Sequence, residues 1–271
     1  MCQHGSRLGN RLTDYDIERR TRKFKVFGIS QISAKKYQMS KDKNLIDDLD
    51  IQHHEAEEMG DDHTPTSLET PLRDDAFDLS EDQKIEIIQG HFKKIMETLG
   101  LDLTDESLSG TPYRVAKMYV KEIFKGLNPE NKPMARKFGN KYDYHDMVLE
   151  KNIDVTSFCE HHFLPFVGKA HVAYISSGKV IGLSKINRIV DYYSRRPQVQ
   201  ERLTLQIANE LESALESNDI AVFIECKHLC VSTRGIKDRV SSTVTTDYRG
   251  KFRKKKTQQR FIDYILTDTE M

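Results

Sequence analysis

Two apolar runs of strand length, KAHVAYIS (169–176) and AVFIECKHLCV (221–231), stand on either side of two segments whose apolar residues recur at helical spacing. This change of period constrains the fold more than any other feature, because a strand must pair while an amphipathic helix must cover something. SKINRIVDYY (184–193) reads as the first helix. Pro197 opens the second, with Val199, Leu203, Ile207, Leu211, Ala214 and Leu215 on one side. SSTVTTDYRGKF (241–252) reads as the hairpin partner of the second strand. Two further helices come first. Ser80 and Gln83 resemble a capping box, followed by Ile85, Ile88, Phe92, Ile95, Met96 and Leu99, with Gly100 as the stop. Thr111 and Pro112 supply an N-cap and a proline at the first helical position; Val115, Met118, Tyr119 and Ile123 form the apolar face, and Gly126 closes the run. A polar loop is expected between that glycine and the first strand. The order predicts an α+β fold with N-terminal helices, a packed helix pair and antiparallel strands in two small groups.

The first 79 residues are of another kind. They are polar and rather basic up to Lys43, then acidic from Glu55 to Asp82, without sustained periodicity. Such a composition buries too little apolar surface to offset chain entropy, so residues 1–79 read as a poorly ordered arm. Met39 offers an alternative start, which would make residues 1–38 upstream translated sequence. Order is expected from Ser80 to the C-terminus. In the 271 residues, 37% hydrophobic content supports a core, while 31% charged residues and a mean hydropathy of −0.63 indicate a soluble chain. No apolar run approaches the ~20 residues of a membrane span. The formal net charge is zero, which argues against a general nucleic-acid binder. Cys2, Cys159, Cys226 and Cys230 are too few and too unevenly spaced for a disulfide framework, so a reducing, cytoplasmic setting is expected.

SFCEHHFLPF (157–166) places Cys159, His161 and His162 within one short stretch. Cys159 and His162 have a common two-ligand spacing, and zinc accepts thiolate and imidazole with a further ligand from elsewhere. Cys230 is the best candidate for it, since Cys226, His228 and Cys230 would share one face of a regular strand. The bland alternative is a set of buried thiols and satisfied histidines; spacing alone does not decide between the two. Lys185 and Arg188 share a helix face, with Arg114 and Arg234 in other segments, so a polyphosphate clamp competes with ordinary solvated surface. No glycine-rich phosphate loop is present. Glu201 is either a favourable charge at a helix N-terminus or a two-acceptor partner for guanine.

TPYRVAKMY, SFCEHHFLPFVGKAHVAYI, KVIGLSKINRIVDYYSRRPQVQERLTLQIANEL, KHLCVSTRGI and SSTVTT, in this order, closely resemble zinc-dependent GTP cyclohydrolase I from about Ser80 to the end. Departures are mild: Ser176 replaces a usual proline, and Cys226 adds a thiol. The resemblance implies a tunnelling fold and conversion of GTP and water to formate and 7,8-dihydroneopterin triphosphate, the first step of pterin and folate biosynthesis. It implies Zn2+ on Cys159, His162 and Cys230, and proton transfer by His161 and His228. It implies guanine recognition by Gln200 and Glu201, and a triphosphate site of Arg114, Ser184, Lys185, Arg188 and Arg234. It further implies a homodecamer with active sites at subunit interfaces, with no nucleic-acid or membrane partner. The rivals are a zinc-stabilised nucleic-acid module using the basic run RGKFRKKKTQQR (249–260), and a paralogue opening another purine nucleotide.

Because the arm lacks core-forming periodicity, deleting residues 1–38 is expected to leave soluble, folded protein. Loss of soluble expression on that deletion would disprove the upstream-start reading.

Overall fold

The computed structural model describes residues 67–134 and 137–267; most of the expected N-terminal arm, residues 1–66, lies outside the described residues. Helix α1 (Glu81–Thr98) begins with the expected capping box: Gln83 N–H donates to Ser80 Oγ, and Ser80 N–H donates to Gln83 Oε1. A short α2 (Glu106–Ser109) leads to α3 (Thr111–Met118). Gly110, not Thr111, is the N-cap of α3, and Thr111 is its first helical residue. The helix then widens into a π turn, Tyr119–Ile123, where Phe124 N–H donates to Tyr119 O at 2.9 Å. That turn delivers the Phe124 ring edge-on to Phe158 at 5.8 Å and to Phe163 at 5.3 Å.

The strands form one main sheet rather than two small groups. In chain order they are β1 (Lys137–Gly139), β2 (Met147–Cys159), β3 (Pro165–Ile175), β4 (Lys179–Ile181), β5 (Pro197–Gln198), β6 (Ile220–His228) and β7 (Thr243–Tyr248). Five of them lie in the order β5-β2-β3-β6-β7, with only the β2–β5 pairing parallel, while β1 and β4 form a separate pair. Two corrections to the sequence reading follow. The expected polar loop contains β2, a 13-residue strand. Glu150, Lys151 and Asp154 disguise it, and a register shift between Glu150 and Ile153, with Asn152 at φ 61°, breaks its alternation. The two apolar runs pair directly with each other, from Phe166↔His228 to Tyr174↔Ile220, although the helix pair separates them in sequence.

That helix pair, α4 (Leu183–Ser194) and α5 (Gln200–Leu215), covers one face of the sheet. Ile186, Ile189, Val190, Leu203, Ile207 and Leu211 meet Ile153, Val155, Phe166, Val172, Val222 and Ile224 there. Cys159, Cys226 and Cys230 belong to the same cluster. Past β6 the chain makes one turn of helix, α6 (Leu229–Ser232), so Cys230 lies beyond the strand rather than on it. The basic run near the C-terminus is largely helical. It forms a 3-10 turn (Gly250–Arg253) and helix α7 (Lys255–Leu266), and its Phe252 and Phe261 are fully buried with Met147, Ala173, Ile175 and Ala221 in a second cluster.

Gly126 ties the π turn to the end of α4. Its N–H donates to Arg195 O at 2.9 Å, and its carbonyl accepts from Arg196 Nε at 2.8 Å. The Arg196 guanidinium lies against both the Tyr192 and Tyr193 rings, 4.6 and 4.7 Å from their centroids. A Cβ at position 126 would lie 2.1 Å from Tyr192 O and 2.8 Å from Arg195 O, so backbone would have to move. Gly126→Ala is expected to cost about 1–3 kcal/mol through overpacking, seen as a lower urea midpoint. An unchanged midpoint would show that this contact is not tight.

Candidate metal centre and active site

Strand alternation aims the first ligand. Ile153, Val155, Ser157 and Cys159 are buried along β2, so Cys159 ends the strand on the helix-covered side. A tight turn follows: Phe163 N–H donates to Cys159 O and Cys159 N–H donates to Leu164 O, both at 2.9 Å, with Phe163 at φ 53°. The turn carries His161 and His162, both half-buried. Cys230 arrives from α6. The candidate ligand atoms of Cys159, His162 and Cys230 all lie within 4.8 Å of one another. His162 Nδ1 is buried without a hydrogen-bond partner. An orphaned buried nitrogen beside two buried thiols is a donor set that suits a metal ion. Hydrogen bonding from the Cys230 thiol, and then the His161 backbone, draws the Cys159 pKa down; the same pairing pushes Cys230 up.

His161 Nδ1 lies 3.4 Å from Cys159 Sγ. Arg234, exposed beyond α6, meets His162 Nε2. His228, the last residue of β6, stacks on Phe166 at 4.6 Å between ring centroids and 11° between planes. Its Nε2 lies 2.9 Å from Gln200 Oε1. Gln200 fixes the roles in that bond. Its Nε2 donates to the Ile224 and Thr243 carbonyls at 3.1 and 2.9 Å, which can only accept. The amide oxygen therefore faces His228 and accepts, and His228 Nε2 carries a proton.

Arg234, His161, His162, Cys159, Cys230, His228 and Gln200 thus gather around the end of β6 and the β2–β3 turn. The remaining expected residues stand on other elements. Arg114, exposed on α3, donates to Ser107 O and Thr111 Oγ1 nearby. Ser184, Lys185 and Arg188 occupy the first turns of α4, and Glu201 is exposed in the first turn of α5. Sequence reasoning gave no role to Glu160 or Arg202. Arg202 is fully buried and makes a two-pronged ion pair with the Glu160 carboxylate, at 2.5 and 3.3 Å. The signal was there: Arg202 and Gln206, at i and i+4, run beside the apolar stripe of α5.

Comparison with known proteins accords with this arrangement. The family model described as GTP cyclohydrolase I matches residues 88–266. The chain belongs to the GTP cyclohydrolase I family. A protein of Flavobacterium johnsoniae named GTP cyclohydrolase 1 is 58% identical over 214 residues, which span 79% of this chain and 96% of the relative. A protein of the same name from Aeromonas salmonicida is 54% identical over 186 residues, 69% of this chain and 84% of its own length. A third, from Citrobacter koseri, is 49% identical over 196 residues, 72% of this chain and 88% of its own. Among the described residues, no helix is long and apolar enough to cross a membrane.

Cys226 shares the core face with the site but not its chemistry. It is 1% exposed and lies against Gly168, where a Cβ would sit 2.8 Å from its Sγ. Burial, with help from the Glu225 carboxylate, pushes its thiol up to about 12. In the native protein at pH 8, iodoacetamide should leave Cys226 untouched, while in urea, with its pKa near ~8.5, it should react. The stabilising contribution of this shift is fully present below about 8.5 and is lost as pH rises toward 12. Equal labelling rates in the native and unfolded chains would refute the assignment.

Proposed function

We propose that this cluster opens the guanine ring of GTP with water, giving formate and 7,8-dihydroneopterin triphosphate for pterin and folate biosynthesis. The observation that carries the reading is the convergence of Cys159, His162 and Cys230 within 4.8 Å, beside two further histidines, in a chain of this family. Two thiols and one imidazole suit zinc and leave a fourth position open. Zinc supplies the Lewis acidity that makes water nucleophilic near neutral pH. With Nδ1 given to a metal, His162 would carry its proton on Nε2 and would not accept from Arg234, whose guanidinium would be available to an anionic substrate.

His161 and His228 move protons. Opening the five-membered ring requires a proton delivered to a purine nitrogen and protons recovered later, and imidazole does both near neutral pH. His228 enters with its Nε2 proton held toward Gln200. Glu201 offers two acceptor oxygens to the paired N–H groups of guanine. Gln200, its amide spent inside the chain, adds to guanine recognition through its backbone N–H at the start of α5. Arg114, Ser184, Lys185, Arg188 and Arg234 take the triphosphate, so that positioning supplies part of the catalysis. The dispersal of these residues over α3, α4 and the segment after α6 supports a site completed by neighbouring copies. The outer strand β7 supports the same reading, because an unpaired edge is normally covered or joined. The assembly is a homodecamer in which Glu201 and Cys230 of one site come from different subunits. It works in the cytoplasm, where thiols stay reduced, without nucleic-acid or membrane partners.

Incubation with GTP should yield formate and a fluorescent pteridine from protein carrying about one zinc per chain. Cys230→Ser should lose metal and activity, and Cys226→Ser should keep both. Glu201→Ala should lower kcat/KM by orders of magnitude at unchanged zinc content, whereas a mere helix-end charge is worth only ~0.3–1 kcal/mol of stability. Co-expression of Glu201→Ala with Cys230→Ser should restore part of the activity. A folded Glu201→Ala enzyme with normal kinetics would refute its role, and a fully active monomer would refute the assembly.

A further inference from the structure

Arg202 is among the largest fully buried side chains, and all three of its guanidinium nitrogens are engaged. Two donate to Glu160, which stands between Cys159 and His161. The third, Nε, donates to the Ser67 carbonyl at 2.9 Å. One helical turn on, Gln206 Nε2 donates to the Leu68 carbonyl at 3.0 Å and to Glu69 Oε2 at 3.3 Å. Gln206 Oε1 in turn accepts from Gln198 Nε2 at 2.8 Å. Gln198 closes the circuit, because its carbonyl accepts from Glu160 N–H at 3.0 Å and it pairs with Cys159 in the sheet. The turn that carries three of the site's residues is therefore held by both polar ends of Glu160, side chain and backbone. Both holds lead to residues 67–69.

We propose that residues 67–69 act as a strap which, through Arg202 and Glu160, sets the geometry of the turn carrying Cys159, His161 and His162. Glu160 and Arg202 are positioning residues. The part of the proposal that concerns metal rests on the reading of Cys159, His162 and Cys230 as ligands. The physical reason is the cost of a buried guanidinium. It is tolerated because its donors are satisfied in a fixed planar fork, and a missing acceptor leaves buried N–H groups unpaired. Strap, arginine and turn therefore hold or loosen together. The segment belongs by sequence to the polar arm, yet its carbonyls complete a circuit inside the catalytic body.

The test uses the full-length chain with Glu160→Gln and Arg202→Lys, and Asp154→Asn as a control that removes a surface ion pair with Lys169. Backbone hydrogen exchange, zinc retention against a chelator, and kcat and KM for GTP are read for each. In Glu160→Gln, amides of 67–72 and of 159–164 should both exchange faster than in the control. Zinc affinity should fall about 10–100-fold, the range typical for partners that orient metal ligands. kcat should fall while KM stays nearly constant. Faster exchange in one segment with full protection of the other would overturn the strap. So would wild-type zinc affinity in a variant with both segments loosened. Should Arg202→Lys not fold, Glu160→Gln, which keeps size and shape, decides alone. A wild-type protein that binds no zinc would overturn the metal reading, and the exchange comparison would still decide the strap.

Discussion

The pairing of β3 with β6 is the constraint on which the rest depends. It joins two apolar strands across the whole helix pair, so α4 and α5 must return over one face of the sheet, and loop-closure entropy is offset by the core they bury. The same register puts His228 opposite Phe166, where the rings stack, and hands the chain to Cys230 close to the end of β2. A slip of one residue would send every β6 side chain to the opposite face. His228 would then leave Phe166 and Gln200, and Cys226 would leave the pocket opened by Gly168. The chemistry at the sheet's end is thus specified by packing along its full length.

Beneath the cluster lies a layer of buried polar side chains, Gln198, Gln200, Arg202, Thr204 and Gln206, all on or just before the first turns of α5. An apolar set of similar volume would pack as well. What these residues add is orientation: each finds partners that are themselves fixed, such as sheet carbonyls, the strap and the Glu160 carboxylate. In a medium of low dielectric such bonds are strong when complete and costly when broken. The turn that carries His161 and His162 gains a rigid foundation from this layer.

The helices were legible because their apolar stripes are local. Ser80 and Gln83 mark the start of α1, and the buried face of α5 falls where Leu203, Ile207 and Leu211 place it, although Pro197 lies in β5 and the helix opens only at Gln200. β2 was not legible, since charged residues and a bulge at Asn152 interrupt its alternation. α7 was hidden by its run of cations, although Phe261 shows that one face of it is core. That the two strand groups merge into one sheet is a matter of pairing between distant segments, which local periodicity does not carry. At the site, the Cys-His spacing is visible in the sequence, whereas Cys230, expected on a strand, sits in a helical turn. The meaning of Arg202 required knowing that its neighbours on three sides are Glu160, Ser67 and the core.

The π turn at Tyr119–Ile123 amounts to one residue more than an α-helix needs to span the same rise. A residue added beside it and wound as regular α-helix would turn everything downstream by about 100° around the helix axis. Phe124 would swing away from Phe158 and Phe163, and Gly126 would no longer meet Arg195 and Arg196. The segment therefore tolerates changes of side chain far better than changes of length. Insertions and deletions should be confined to the exposed loops before α3 and after Leu127, leaving the spacing from Tyr119 to Gly126 as a fixed ruler laid against the turn that carries His161 and His162.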